Sequence, residues 1–111
     1  MSFRTDYDWT EVVQPITDEE VRQWTAALRS GNYTQGYTQL RRDDCFCCLG
    51  VANEVFKLGL PDSRGILADE YSAKATRLPE VLQQDLYEIN DRREWSFSEI
   101  ADYIDKGFGI G

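Results

Sequence analysis

Histidine is absent from this 111-residue sequence, and its absence removes most of the common catalytic templates. Without an imidazole there is no Ser-His-Asp triad, no Cys-His pair and no histidine general base. A histidine-containing zinc site is excluded for the same reason. The sequence also lacks a G-x-x-x-x-G-K phosphate loop and a G-x-G-x-x-G turn after a strand. We therefore expect a protein that is not an enzyme and that uses no cofactor.

Cysteine is scarce and confined to one short run, Cys45, Cys47 and Cys48. An odd number of clustered thiols does not make the disulfide framework of a small secreted domain. Three thiols are also one too few for a structural zinc site, and adjacent helical residues point about 100° apart. We expect reduced cysteines that bind no metal and pack as small hydrophobes on a helix. A nucleophilic thiolate at the start of that helix is the alternative.

Long apolar runs are missing as well, and the N-terminal residues lack the apolar core of a signal peptide. We therefore expect a cytoplasmic protein without a membrane segment. The net charge is −8, and clustered Lys and Arg are what contact with phosphates requires, so direct binding to a nucleic-acid backbone is not expected. The acidic surface favours solvation, with imitation of DNA phosphates as the alternative.

Two helices have strong start signals. Thr17 and Ser96 are each followed three residues later by a glutamate, Glu20 and Glu99, which is the pattern of a capping box. A hydrophobic residue before each cap and another four residues after it complete the signal. Helix one is expected to end at Gly31, and helix four at Gly107.

Apolar periodicity predicts two further helices, one over residues 45–58 and one over residues 79–91. Asp43 or Asp44 is the expected cap of helix two, and Pro79 fits the first position of helix three. Residues 60–78 are expected to form a loop with a weak strand at 66–67 and a helical turn near 69–75. The expected core consists of Trp24, Leu28, Leu49, Ala52, Phe56, Leu82, Leu86, Ile89, Phe97, Ile100 and Ile104.

Between helices one and two, residues 32–42 favour strands and predict a short antiparallel β-hairpin whose turn is Gln35-Gly36. Residues 1–15 have no period and are expected to lie extended on the domain, and residues 108–111 to form a loose tail. The prediction is a single α+β domain over residues 1–111, with about four helices beside a small antiparallel sheet.

The hairpin is the strongest candidate for a binding site. It places tyrosine rings, amide side chains and two consecutive arginines within twelve residues. Tyrosine and arginine together can stack on a base and hold a phosphate with paired N–H groups. A solvent-facing hairpin whose arginines neutralise nearby carboxylates is the alternative. The candidate ligand-binding residues are Tyr33, Gln35, Tyr37, Arg41 and Arg42.

Five sequence segments form a distinctive pattern: Trp24-x-x-Ala27-Leu28-Arg29-Ser30-Gly31-x-Tyr33-x-Gln35-Gly36, Leu40-Arg41, Cys47-Cys48-Leu49-Gly50-Val51, Leu86-x-x-Ile89-Asn90-Asp91 and Trp95-Ser96-Phe97-Ser98-Glu99-Ile100-Ala101-Asp102-Tyr103-Ile104. This pattern, which covers about half of the chain, resembles a family of small, uncharacterised bacteriophage proteins.

The resemblance implies a phage origin, and small phage proteins of this kind often act by binding in the cytoplasm of the host. It therefore favours a protein that antagonises host defence by sequestering a small anionic, nucleotide-like ligand. The alternative is an acidic protein–protein inhibitor or DNA mimic that blocks a host protein. Self-association into a homo-oligomer stays open.

The predicted capping box of helix four can be tested directly. Ser96→Ala should lower the free energy of unfolding by about 1 kcal/mol, because a backbone N–H of the first turn loses its side-chain acceptor. Urea denaturation measures this loss, and an unchanged unfolding midpoint would contradict the predicted cap.

Overall fold

The computed structural model describes residues 2–63, 65–68 and 74–110. Within these ranges the chain forms an α+β fold, as predicted, with five helices and one three-stranded sheet. None of its described helices has the length and apolar character needed to cross a membrane. The elements in chain order are α1 Phe3–Asp6, α2 Asp18–Arg29, β1 Thr34–Gln35, β2 Arg41–Arg42, β3 Cys45–Phe46, α3 Cys48–Val55, α4 Glu80–Asp91 and α5 Phe97–Gly107.

Both predicted capping boxes are confirmed. The Thr17 hydroxyl accepts a hydrogen bond from the Glu20 backbone N–H at 3.2 Å, and the Glu20 carboxylate accepts one from the Thr17 N–H at 3.0 Å. Ser96 and Glu99 form the same reciprocal pair at the start of α5. At the other end of α2, Gly31 has a φ of +79°, the left-handed conformation that commonly terminates a helix.

The predicted start of helix two is wrong. Residues 45–46 are a strand, and α3 begins at Cys48 with Cys47 as its cap. The Cys47 Sγ accepts a hydrogen bond from the Gly50 N–H at 3.3 Å, the role expected for Asp43 or Asp44. The Cys47 N–H in turn donates to the Leu40 carbonyl at 3.2 Å. The backbone at Cys47 is therefore still hydrogen-bonded to the residue before β2, at a position where the helix was expected to have begun. The helix ends at Val55 rather than Leu58.

The sheet is mixed, not a simple antiparallel hairpin. β3 lies in the centre, pairs in parallel with β1 and pairs antiparallel with β2. The tight turn is at Asp43-Asp44, where Asp43 has a φ of 56°, and not at the predicted Gln35-Gly36. Gly36 instead allows β1 to approach β3, because a Cβ at this position would lie 2.6 Å from the Cys45 Cβ.

Both ends of the described chain are packed, which corrects two predictions. Residues 3–6 form α1 rather than an extended segment, and the Phe3 side chain is 1% exposed. Its ring lies against Phe108, with 5.2 Å between the ring centroids, and Ile110 also packs on the core, so residues 108–110 do not form a loose tail. Gly107 belongs to α5 and makes room for Phe3, since a Cβ there would lie 2.1 Å from that ring. The left-handed residue after α5 is Gly109.

The predicted core residues are buried with one exception, Phe56, which is half-buried against Trp24. The core also takes in Leu67 and Leu78 from the loop before α4. Gln83, which is fully buried, holds this loop through hydrogen bonds to the Leu67 N–H and to the Leu67 and Leu78 carbonyls. The weak strand expected at 66–67 is a single bridge between Ala68 and Ala75, and most of the helical turn expected near 69–75 lies outside the described residues.

Gly50 shows how closely the first turn of α3 packs on the strand region. A Cβ at this position would lie 1.7 Å from the Leu40 carbonyl oxygen, which is backbone and cannot rotate away. In an exposed helix a change from Gly to Ala usually stabilises by about 1 kcal/mol. Here Gly50→Ala should instead destabilise the protein by about 2–3 kcal/mol, because α3 must move away from Leu40.

Chemical denaturation of Gly50→Ala and of a matched variant, Gly65→Ala, tests this contact. A Cβ at Gly65 would lie 3.6 Å from the Tyr87 ring, an ordinary contact, so this control should unfold near the wild-type midpoint. Equal midpoints for the two variants would contradict the close approach of α3 to Leu40.

Candidate functional site

The structure divides the five predicted site residues into separate groups. Tyr33 and Arg41 both contact Phe46. The Tyr33 and Phe46 ring centroids are 5.2 Å apart, and the Arg41 guanidinium lies 5.2 Å from the centre of the Phe46 ring. Arg41 also donates to the Asp43 carbonyl at 2.9 Å. These two residues therefore stabilise the local structure and are not gathered with the others.

Gln35 is committed to an internal network. Its amide nitrogen donates to the Asn90 side-chain oxygen at 3.0 Å and to the Trp95 carbonyl at 2.6 Å. Asn90 is fully buried at the end of α4; its oxygen also accepts from the Cys48 N–H, and its nitrogen donates to the Gly36 carbonyl at 2.9 Å. The Asn90 amide thus joins β1, the start of α3 and α4. Sequence reasoning missed this role because local patterns place Asn90 only near the end of the helix predicted over residues 79–91.

Tyr37 and Arg42 line a shallow surface recess of about 340 Å³, which we term the Tyr37 recess. The Tyr37 side chain is 41% exposed. Among the residues that the structure describes, no carboxylate forms an ion pair with Arg42. The recess is lined by Gln35, Gly36, Tyr37, Thr38, Arg42, Asp43 and Cys45.

Thr38, at the edge of this recess, has an unusual backbone conformation. Its φ is 72°, which is uncommon for a residue other than glycine. The Thr38 N–H donates to the Asp91 carboxylate at 2.6 Å, and Asp91 also accepts from the Asn90 side chain at 2.7 Å. Thus the backbone beside Tyr37 is held by the same end of α4 that carries the Asn90 network.

A larger cleft of about 500 Å³ adjoins the recess through Thr38, and we term it the α4 cleft. Sequence reasoning missed it because its walls come from the loop around residue 66 and from α4. Asp85 in this cleft accepts a hydrogen bond from the Tyr7 hydroxyl at 2.5 Å. Burial, the hydrogen bond and the negative charge of Asp85 together raise the pKa of Tyr7, so its hydroxyl stays protonated. The lining residues are Thr38, Gly65, Ile66, Gln84, Asp85, Tyr87, Glu88 and Arg92.

Two further arginines form ion pairs that stabilise the fold. Arg29 bridges α2 to α5 through Asp102 at 2.7 Å and Asp105 at 2.8 Å. Arg77, whose side chain is 5% exposed, pairs with Glu20 and lies over the Phe56 ring. Burial lowers the pKa of Arg77. Neither cation is available to a ligand.

The cysteines do not have the properties of nucleophiles. Cys47 and Cys48 are buried, as expected for small hydrophobes, and Cys45 is half-exposed. Burial raises the pKa of Cys47 to about 11 and raises the pKa of Cys48 well above its ordinary value, so neither becomes a thiolate near neutral pH. Within the described ranges, no three His, Cys, Asp or Glu side chains are grouped closely enough to hold a metal ion.

Comparison with known proteins identifies one similar segment. Residues 17–60 match the model of a family described as a domain of unknown function, DUF8296. The matched segment runs from the cap of α2 through the sheet to just beyond α3. No curated protein and no solved structure is significantly similar to the chain. The similarity therefore concerns the structural unit around Gln35 and Cys48 and brings no activity with it.

Asn90 should be essential for stability. In Asn90→Ala the Gly36 carbonyl and the Cys48 N–H lose a buried partner, and we expect a loss of about 2–4 kcal/mol in the free energy of unfolding. Asn90→Asp keeps the shape but removes the donor and adds a charge beside Asp91, so it should also destabilise. Urea denaturation provides the measurement.

The matched control is Asn32→Ala, because Asn32 is exposed between α2 and β1. It should remain within about 0.5 kcal/mol of the wild type. If Asn90→Ala were as stable as this control, the network would not hold the three elements together.

Proposed function

We propose that this chain is a non-enzymatic, phage-encoded binding protein that antagonises host defence in the cytoplasm by sequestering a small nucleotide-like ligand. The observation that carries the proposal is the Tyr37 recess. Its volume of about 340 Å³ falls within the range of small-molecule sites, about 300–1,000 Å³. A tyrosine ring and a guanidinium face it together, which is the pair of groups that binds a base and a phosphate.

Charge selects this recess over three others on the described surface. The α4 cleft and the two further recesses are each lined by two carboxylates and one basic side chain. The Tyr37 recess has one of each, Arg42 and Asp43. In a protein with a net charge of −8, the Tyr37 recess is therefore the one of these four in which lining carboxylates repel an anion least.

Two of the five residues named from sequence remain in the proposed ligand contact. Tyr37 supplies the stacking surface and Arg42 the paired N–H donors. Gln35 forms the floor but already donates to Asn90 and to the Trp95 carbonyl. Arg41 and Tyr33 act through Phe46, so their effect on the ligand is indirect.

A non-enzymatic role has its own support. The sequence has no histidine, and burial keeps the Cys47 and Cys48 thiols protonated. Cys45 does line the recess, but the one carboxylate that lines it, Asp43, is exposed to solvent and is too weak a base to activate a thiol well.

Replacing Arg42 or Tyr37 should weaken ligand capture strongly without unfolding the protein. Protein purified from phage-infected host cells is heated, and the released small molecules are measured by mass spectrometry. Arg42→Ala and Tyr37→Ala should each retain about tenfold less of the co-purifying nucleotide than the wild type. Both positions are exposed, so the melting temperature should stay nearly unchanged.

Arg41→Ala is the matched control, because it removes the same charge from the adjacent position while leaving the recess intact. It should retain the ligand within about threefold of the wild type, losing its contact with Phe46 and its hydrogen bond to the Asp43 carbonyl. If the wild type releases no nucleotide from infected cells, or if Arg41→Ala loses ligand as completely as Arg42→Ala, the proposed site is wrong.

A further inference from the structure

A second surface carries a different inference, which does not depend on the Tyr37 recess. We propose that the exposed face of α4, formed by Val81, Asp85 and Glu88, docks a partner protein through a segment that combines Lys or Arg with apolar side chains. This would make the chain an inhibitor of a protein as well as a ligand-binding protein.

The two carboxylates stand between two depressions. Asp85 and Glu88 line the α4 cleft of about 500 Å³ on one side and a smaller recess of about 160 Å³ on the other. Their spacing of three residues places them on the same side of the helix, one turn apart. A side chain that enters either depression therefore passes both carboxylates.

These carboxylates are available to a partner's cation. Among the ion pairs between described residues, none involves Asp85 or Glu88. The nearest basic residue along the cleft, Arg92, lies one turn beyond Glu88 at the end of α4. A docked cation is thus expected at the Asp85 end, about 10 Å along the helix from Arg92.

Asp85 is also held in position before any partner arrives. The Tyr7 hydroxyl donates to its Oδ2 at 2.5 Å, and no hydrogen bond between described residues uses its Oδ1. The Tyr7 ring packs edge-on against the buried Phe3 ring, with 5.7 Å between centroids, so the donor itself is anchored. A carboxylate whose rotamer is already fixed loses less entropy when it binds.

Apolar surface accompanies the charges. Val81 is 65% exposed one turn before Asp85, the most exposed of the large hydrophobic side chains described. Ile66 and Tyr87 add apolar surface inside the cleft. This mixture fits one amphipathic segment of a protein better than an imitation of DNA, which would require a longer row of carboxylates without hydrophobic neighbours.

The test uses a fluorescein-labelled, amidated peptide of four Arg-Leu repeats, with binding followed by fluorescence anisotropy at physiological salt. The Asp85→Asn/Glu88→Gln double variant should bind this peptide about tenfold more weakly than the wild type. The matched control, Glu11→Gln/Glu54→Gln, removes two exposed carboxylates elsewhere and so changes the net charge equally. It should bind within about twofold of the wild type.

Tyr7→Phe tests the positioning of Asp85. In the wild-type background, Tyr7→Phe should weaken peptide binding about threefold while the circular dichroism spectrum stays unchanged. In the Asp85→Asn background, Tyr7→Phe should have no further effect on binding, because Tyr7 acts only by positioning the Asp85 carboxylate. A merely structural role for Tyr7 would give the same loss in both backgrounds.

Three results would overturn the proposal: no binding of the peptide by the wild type, equal losses in the two double variants, or equal binding of a peptide with glutamate in place of arginine. If Arg42→Ala retains less nucleotide but binds the peptide as well as the wild type does, both proposals are supported, as two separate functions.

Discussion

One buried amide determines how the halves of this domain meet. Asn90 is the last residue but one of α4, and its side chain satisfies polar groups on β1, on the residue after β1 and at the first residue of α3. An unpaired amide or carbonyl buried at this depth would be unfavourable by about 1–3 kcal/mol each. Because every partner requires the same position of the amide, α4 has one place to lie against the segment of residues 17–60.

The position of α4 that Asn90 determines also affects the shape of the protein surface. Asp91, the neighbour of Asn90, accepts a hydrogen bond from the Thr38 N–H and so holds Thr38 in its left-handed backbone conformation. Thr38 lines both the Tyr37 recess and the α4 cleft. The shape of both candidate binding surfaces thus follows from a polar network in the core. Gly36 and Cys48 lie in the segment that matches the family model and take part in this network through Asn90, so their roles there are structural.

The sequence was most informative where the signal is local. The capping boxes of α2 and α5 each need only four consecutive positions, and both were predicted correctly. The start of α3 was not, because a thiol is not among the usual capping groups and because β3 depends on parallel pairing with β1, ten residues upstream. The helix at residues 3–6 is likewise stabilised by Phe3 packing against the far end of the chain, which no local pattern reveals.

The candidate site was predictable only in part, because sequence patterns report local features and not contacts between distant residues. Composition identified the region, but two consecutive strand residues point to opposite faces, so Arg41 and Arg42 could not both face one ligand. Nothing in the sequence indicated that Gln35 would bind Asn90, 55 residues away, or Tyr7 bind Asp85, 78 residues away. Contacts of this kind depend on the whole fold.

The packing of Phe3 beneath Gly107 has a consequence for how the protein is made. During synthesis, Phe3 leaves the ribosome long before Gly107 and Phe108, which build its binding site. Until those residues emerge, an aromatic side chain that is 1% exposed in the finished domain has nowhere to pack and stays accessible to chaperones and to other chains. The packing of Phe3 against Gly107 and Phe108 can therefore form only after those two residues have been synthesised.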